Sequence, residues 1–232
     1  LSIDNAVFTH EYLAQYDIIF IITALPHEFT FESPNTSDPA FSEKEMNALH
    51  KWVNEGGSLL IVYDHAPFDR AVRTLLNRFN IETAVGYVID KTRSVSGKDE
   101  GWIKYTKDDG FMMDSHPILK GRNKNEHINS LVTFGGSAMK SSKYINLLRL
   151  SNSIQVIKHD VGGGGFGSGN SQALCGNVGK GKIAVFADAN GFTALLFDEG
   201  EVEKSVVGMN YIQFDWKQLI INTLHWLSDS KK

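Results

Sequence analysis

The chain alternates continuous apolar runs with amphipathic stretches. Residues 18–22 and 59–62 are apolar runs typical of strands that are buried on both faces. Between them, Ser42 and Glu45 form a capping box, and the apolar helical stripe that follows stops at a pair of glycines. A second stripe, residues 71–79, follows the second run. This β-α-β-α order predicts right-handed crossovers and a parallel sheet with helices on both faces.

The second half of the chain adds further strand candidates and a closing helix. Short strands are predicted within 82–92 and at 103–105, and longer ones at 128–134, 154–158, 172–175 and 182–187. Residues 115–119 predict a turn that leads into an extended segment. An apolar stripe over residues 216–227 predicts a last helix that packs on the sheet. Residues 1–232 are therefore expected to form one α/β domain, a three-layer αβα sandwich with a mostly parallel central sheet.

Composition and charge narrow the possible partners. The 42% hydrophobic and 22% charged residues are typical of a globular domain with a sizeable core. The formal net charge is −4 and no long basic cluster offsets it, so nucleic acid is not an expected partner. The apolar runs are far shorter than the ~20 residues that a membrane helix needs. No membrane span is expected, and the cofactor, metal and oligomeric state stay open.

Neither the glycine-rich segment nor the single cysteine predicts a cofactor site or a catalytic role. Gly162, Gly164 and Gly167 match a dinucleotide-binding pattern, but the expected helix does not follow them, so they predict a flexible hairpin tip. Cys175 is the only cysteine, which excludes an internal disulfide and a multi-thiolate metal site. Because it lies within a strand-like run, we expect a buried thiol without a catalytic role. A signal peptide is not visible at the first residues, so any such segment would precede them.

Polar side chains follow three of the apolar runs. These candidates for a ligand or metal site are His27 and Glu28, then Asp64 and His65, and then Asp188 and Asn190. Parallel strands would bring them to one edge of the sheet, where ligands bind in open α/β folds. Imidazole and carboxylate groups serve as metal ligands and general bases. The alternative is structural: Asp64 and Asp188 cap turns, and His65 bonds to the backbone.

Three further residues complete the list of candidates. Phe68 stands in the turn after the second strand, and Asn210 precedes the last helix, where it could cap that helix or reach the same edge. His116 precedes Pro117 and is expected to be a turn residue. If the edge is a site, the side chains of His65 and Asp188 should lie within about 10 Å of each other on an accessible concave surface, since neighbouring strands are ~4.8 Å apart.

Seven short motifs occur in a fixed order along the chain. They are Phe41-Ser-Glu-Lys-Glu45, Trp52-Val-Asn-Glu-Gly-Gly-Ser58, Asp64-His-Ala-Pro-Phe68, His116-Pro-Ile-Leu-Lys-Gly-Arg122, Thr133-Phe-Gly-Gly-Ser137, Gly179-Lys-Gly-Lys-Ile-Ala-Val-Phe186 and Asn222-Thr-Leu-His-Trp-Leu-Ser228. Together they resemble an uncharacterised bacterial family that is similar to class I glutamine amidotransferase domains. The resemblance implies a flavodoxin-like three-layer fold over nearly the whole chain.

The chain also differs from the family pattern in two respects. Amidotransferases of this class carry a catalytic cysteine at the elbow where this chain has Asp64 and His65, so glutaminase activity is not expected. Members of the family also begin with one more strand and a histidine-containing loop before the segment that matches residues 1–16. The resemblance therefore implies a domain without that N-terminal strand.

Three functions remain open at this stage. The first is binding of a small polar ligand, with carbohydrates among the candidates, by a member of the amidotransferase-like group that is not an amidotransferase. The second is hydrolysis, with Asp64 or His65 as general base and with Asp188 and Asn190 orienting substrate or metal. The third is an interaction domain of an envelope assembly with a vestigial pocket. The resemblance favours a bacterial protein, and a periplasmic or extracellular location over a cytoplasmic one.

Overall fold

A computed structural model describes residues 7–30, 39–159, 163–198 and 204–229. The helices are α1 (His10–Leu13), α2 (Glu43–Glu55), α3 (Phe68–Arg78), α4 (Pro117–Lys120) and α5 (Trp216–Ser228), with 3₁₀ turns at Lys124–Glu126, Asn190–Phe192 and Gly208–Asn210. The strands are β1 (Ile18–Ile22), β2 (Ser58–Val62), β3 (Glu82–Thr83), β4 (Tyr87–Ile89), β5 (Lys104–Thr106), β6 (Ser130–Val132), β7 (Met139–Lys140), β8 (Ile145–Arg149), β9 (Gln155–His159), β10 (Gly163–Gly164), β11 (Ser171–Val178), β12 (Gly181–Phe186), β13 (Leu196–Asp198) and β14 (Lys204–Val206). The chain thus has a mixed α/β fold.

The main sheet has seven strands in the order β1-β2-β12-β11-β7-β3, with β8 also paired to β11. Strands β1, β2 and β12 are parallel, which confirms the prediction that these three apolar runs share one sheet. The expectation of a mostly parallel sheet is wrong, because the pairings of β11, β7, β8 and β3 are antiparallel. A two-residue turn at Gly179 and Lys180 joins β11 to β12, and so short a connection permits only an antiparallel pair.

Helices cover both faces of this sheet. On one face, Met46 and Leu49 of α2 and Leu75 of α3 pack against Ile61 and Ile183. On the other face, helix α5 and the small β5-β6 sheet form a second core; its members include Leu60, Tyr105, Leu131, Ala184, Phe186, Trp216 and Leu219. Alternate side chains along each central strand therefore point to opposite faces of the sheet and pack in two separate cores.

The capping residues in the sequence predicted both ends of helix α2 correctly. The Ser42 side chain accepts a hydrogen bond from the Glu45 amide, and the Glu45 carboxylate accepts one from the Ser42 amide. The helix ends where Gly56 adopts φ 128°, a conformation that favours glycine. The predicted extended segment after residue 115 is wrong, because His116 caps the short helix α4 and Pro117 occupies its first turn.

Strand β1 departs from its predicted burial. Its residues were expected to be buried on both faces, yet Phe20 is 50% and Ile22 is 49% exposed. Ile19 and Ile21 point into the core beneath α2, whereas the opposite face of the strand is only partly covered. The reason is position: among the described residues β1 is the edge strand of the sheet, and an apolar run has the same sequence pattern at an edge as at the centre.

The remaining elements follow the pattern with shifted bounds. Strands within 82–92 and at 103–105, 128–134, 154–158, 172–175 and 182–187 appear as β3 with β4, β5, β6, β9, β11 and β12. Strands β7 and β8, the short helix α1 and the β13-β14 hairpin were not predicted. Gly163 and Gly164 pair with β9 as one arm of a hairpin, while Gly162 lies outside the described residues. In the described part of the chain, no helix has the length and apolarity to cross a membrane.

Candidate functional site

Asp64 and Asp188 stand side by side at the carboxyl edge of the sheet. Val62 of β2 pairs with Phe186 of β12, and each aspartate lies two residues beyond its strand's paired residue. The Oδ2 atom of Asp64 accepts hydrogen bonds from the Ala189 amide at 3.1 Å and from Nδ2 of Asn190 at 3.4 Å. The structure therefore brings Asp64, Asp188 and Asn190 together.

Both carboxyl groups are buried and bonded to the backbone. Asp188 is 1% exposed and accepts hydrogen bonds from the amides of Phe134 and Gly191. Asp64 is 5% exposed, and its Oδ1 accepts a bond from the His65 amide at 2.8 Å. Burial raises the pKa of both groups, and the neighbouring charge of Asp64 raises the pKa of Asp188 further. These bonds match the structural alternative, in which the two aspartates hold turns.

His65 is partly accessible and neutral. Its Nδ1 lies 2.9 Å from the Ala66 carbonyl oxygen, which can only accept, so Nδ1 carries the proton. The unprotonated Nε2 then lies 3.5 Å from Oδ1 of Asp64. Burial lowers the pKa of His65 to about 4, and the nearby His159 lowers it as well. At neutral pH, His65 therefore offers a lone pair close to a buried carboxyl group.

Three rings pack together next to this group, and we call His65, Tyr87 and His159 the ring cluster. The ring centroids of His65 and His159 are 3.9 Å apart, and Tyr87 lies 5.5 Å from His65 and 5.7 Å from His159. All three side chains are half-buried. The hydroxyl of Tyr87 donates to Asp99 at 2.7 Å. Tyr87 and His159 belong to the paired strands β4 and β9, so a second sheet completes the site.

Tyr87 and His159 were not among the predicted site residues. Tyr87 lies within the region 82–92 that was predicted to contain strands, and His159 directly follows the strand predicted at 154–158, but nothing local indicates that these segments pair or that their side chains reach His65. The Gly-rich segment after His159 was the nearest signal, since Gly163 pairs with His159 in the β9-β10 hairpin.

The other predicted site residues lie around this edge with separate roles. His27 and Glu28 are exposed in a turn beyond β1. Phe68 begins α3 and packs against the core beneath α2. Asn210 donates from Nδ2 to the Ala194 carbonyl at 2.7 Å, so its side chain ties the last 3₁₀ turn to the segment after β12. Their part in binding stays a prediction.

The described residues do not form a metal-binding site. No group of three or more His, Cys, Asp or Glu side chains there is arranged to hold a metal ion. Cavities of about 650 and 380 Å³ lie elsewhere, one beside Asn80 and Lys140 and the other beside His10 and Lys180. Neither cavity is lined by His65 or Asp188. The expectation that both side chains lie on one accessible concave surface is wrong for Asp188, because it is 1% exposed and its carboxyl group is bonded to backbone amides.

Cys175 lies apart from the edge, against His116. The Nδ1 atom of His116 accepts a bond from the Ile118 amide, so Nε2 carries the proton and faces Sγ at 3.4 Å. Burial raises the pKa of the thiol, and burial lowers the pKa of His116 to about 4. A histidine that donates to sulfur cannot deprotonate it, so this pair does not form an activated nucleophile.

No family model and no curated protein matches the chain. Solved structures do resemble it. The N-terminal domain of mmIFT52 has a TM-score of 0.61 and 14% identity, over 97% of this chain and 83% of that one. Cytoplasmic Protein STM1381 from Salmonella typhimurium LT2 has a TM-score of 0.53 and 15% identity, over 95% and 75%. Cytoplasmic Protein STM3548 from Salmonella typhimurium follows with 0.50 and 13%, over 95% and 75%. At these identities the likeness concerns the fold alone.

Proposed function

We propose that this domain binds a small polar ligand, of the carbohydrate class, at the carboxyl edge of β2 and β12. The observation that carries the proposal is the half-buried ring cluster of His65, Tyr87 and His159 at that edge. Ligand sites combine ring surfaces with a few placed polar groups. A sugar has both matching parts, because its C–H face packs on a ring and its hydroxyls bond to nitrogen and oxygen atoms.

The surrounding groups support this assignment. Asp64 and Asp188 accept hydrogen bonds from the backbone of the loops after β2 and β12. These bonds hold the loops in place and thereby fix the position of the His65 ring. Ligands of open α/β sheets bind outside the carboxyl ends of the strands, which is where the cluster lies. Half-buried imidazole and phenol groups lose little conformational freedom on binding, since their rings already pack against one another.

We also propose that the fold is the three-layer arrangement of amidotransferase-like domains, without their chemistry. Parallel strands β1, β2 and β12 with helices on both faces support this fold. Asp64 and His65 occupy the turn after β2, and the single cysteine is buried within β11. Glutaminase chemistry would need an accessible thiol at that turn.

Hydrolysis at the same site is a second candidate. It is favoured by the tautomer of His65, whose Nε2 lone pair could take a proton from water while Asp64 stabilises the imidazolium that forms. In this version the partly buried Asn190 orients the substrate, and the buried Asp188 holds the loop beneath it through the Phe134 and Gly191 amides. The two candidates differ in turnover, because a binding domain leaves its sugar unchanged.

A thermal-shift screen tests the binding proposal. Monosaccharides, oligosaccharides, amino acids and divalent cations are added to the wild-type domain, since a ligand that binds only the native state raises its Tm. A carbohydrate should raise the Tm of the wild type and of His10→Ala, an exposed histidine on α1. The same carbohydrate should fail to shift His65→Ala and His159→Ala. An equal shift in both ring variants would place the ligand elsewhere and refute the proposed site.

Activated nitrophenyl glycosides and esters test the second candidate. Release of nitrophenol that requires His65 would establish hydrolysis. Release that persists in His65→Ala, or no release above the buffer rate, would remove hydrolysis at this site and leave binding as the function.

A further inference from the structure

Helix α3 carries two arginines close to the ring cluster. Arg70 lies in the first turn of α3, directly after the turn in which the Phe68 amide donates to the His65 carbonyl at 3.0 Å. Arg73 follows on the same side of the helix, since residues three apart are neighbours on a helix surface. The helix that begins at the proposed site thus has two positive charges in its first two turns.

The glycine-rich segment 163–167 lies against this side of α3. A β-carbon placed on Gly163 would lie 3.4 Å from Nη2 of Arg70. Gly163 pairs with His159, and directly paired residues of antiparallel strands have Cα atoms ~4.5–5.5 Å apart. The Arg70 guanidinium therefore lies within about 10 Å of the Cα atom of His159. Further along the segment, the ring centroid of Phe166 is 6.0 Å from Cζ of Arg73.

Both guanidinium groups can be reached from solvent. Arg73 is exposed and Arg70 is partly exposed. Arg73 also lines a cavity of about 130 Å³ between α3 and the glycine-rich segment. The carboxylate that lines the same cavity, that of Glu82, is already paired with Lys140 at 3.1 Å.

Arg70 and Arg73 form no ion pair with a carboxylate of the described residues, whereas three other arginines do; these are Arg78, Arg93 and Arg122. The acid next to Arg70 in the sequence, Asp69, is buried, and its Oδ2 accepts a hydrogen bond from the Gly86 amide at 2.7 Å. Within the described part of the chain, both guanidinium groups therefore keep their donors for a ligand.

The two sides of the ring cluster differ in charge. In the small sheet, β10 lies on one side of β9 and β4 on the other, so Tyr87 is on the side away from the arginines. There the Asp99 carboxylate accepts hydrogen bonds from the Tyr87 hydroxyl at 2.7 Å and from the Gly101 amide at 2.8 Å. A ligand with one anionic group would be repelled by Asp99 and attracted towards α3.

We propose that the ligand of this site is an anionic carbohydrate, a sugar that carries a carboxylate or a phosphate group, and that Arg70 and Arg73 bind this group. The inference rests on the proposed carbohydrate site, in which the sugar ring packs on the ring cluster. Guanidinium groups bind both kinds of anion through paired N–H···O bonds, and such charge-assisted bonds are about twice as strong as bonds between neutral groups. A charged sugar should therefore bind more tightly than its neutral parent.

Matched sugars test this inference by isothermal titration calorimetry. Glucose, galactose and mannose are each compared with their uronate and their 6-phosphate at equal ionic strength, which removes the general effect of salt. At least one charged form should bind about tenfold more tightly than its neutral parent, and its identity distinguishes carboxylate from phosphate.

Two variants assign the advantage to the arginines. Arg70→Gln with Arg73→Gln should remove the tenfold difference and leave the neutral parent's affinity unchanged, because glutamine keeps the helix propensity and loses the charge. The matched control is Lys51→Gln, an exposed cation near the end of α2, which should change every affinity less than about twofold. The Tm of each ligand-free variant checks that the fold is intact.

The results separate this inference from the proposed function. A neutral sugar that binds as tightly as its charged forms, or a charged sugar whose affinity the arginine variant retains, would overturn the anionic ligand and leave the carbohydrate site in place. Charged-sugar binding that needs the arginines but survives in His65→Ala would also overturn the inference, because the arginines would then serve a separate site. If none of these sugars binds the wild type, the proposed function and this inference both fail.

Discussion

The imidazole of His65 packs against the imidazole of His159, with ring centroids 3.9 Å apart and an angle of 31° between the rings. His65 follows β2 in the main sheet, and His159 ends β9 in the three-stranded β4-β9-β10 sheet. The contact therefore fastens one sheet to the other at the proposed site. Two imidazolium cations at this distance would repel each other, so the contact favours the neutral form of His65.

We expect His65 to stay neutral through the physiological pH range. Its pKa is lowered to about 4 mainly by burial, so its ring resonances should not titrate between pH 5 and 8 in NMR spectra. Because the unfolded state takes up a proton near pH 6.5, His65 should destabilise the fold as pH falls from about 6.5 towards 4. His65 resonances that titrate near pH 6.5 would contradict this environment.

Asp69 should make stability fall as pH rises. It is fully buried, its Oδ2 accepts a bond from the Gly86 amide at 2.7 Å, and burial raises its pKa to about 7. Between about pH 4 and 7 the folded state holds a proton that the unfolded state has released, so its stabilising contribution is complete below pH 4 and lost as pH rises through 7. The slope is at most about 1.4 kcal/mol per pH unit.

Urea unfolding at pH 5, 6 and 7 measures this effect. Relative to wild type, Asp69→Asn should remove that part of the pH slope, whereas Asp108→Asn, at an exposed position, should leave it unchanged. Equal slopes in wild type and Asp69→Asn would show that Asp69 has an ordinary pKa.

Asp188→Ala should destabilise the protein by about 2–3 kcal/mol, because it leaves two buried amides, those of Phe134 and Gly191, without an acceptor. Asp188→Asn should also destabilise it, since its amide nitrogen cannot accept a hydrogen bond. Chemical denaturation measures both changes. A loss below about 0.5 kcal/mol, the size of a neutral surface change, would show that the bonds to Asp188 are unimportant for stability.

Cys175 should be unreactive in the native protein. Burial raises the pKa of its thiol, and the side chain is 0% exposed, so a disulfide reagent should modify it only after denaturation. Cys175→Ala should cost about 1 kcal/mol and leave ligand binding within about twofold. Rapid labelling of the folded protein would contradict the buried position.

Short-range patterns predicted much of the secondary structure. The capping box at Ser42 and Glu45, the helix stop at Gly56 and the parallel β1-β2-β12 unit were all predicted from neighbouring residues. These features depend on a few adjacent side chains and on periodicity, both of which are present in the unfolded chain. The hydrophobic pattern could not distinguish an edge strand from a central one, and this is why Phe20 was expected to be buried.

By itself, the sequence determined that Asp64, His65, Asp188 and Asn190 follow apolar strands and that a mixed α/β domain forms around them. Only the tertiary structure decided that the two carboxyl groups are buried beneath the edge and that Tyr87 and His159 meet His65 there. The physical reason is that strand pairing across distant segments and the desolvation of a carboxyl group depend on the complete packed fold. Neither is encoded in the residues next to the group.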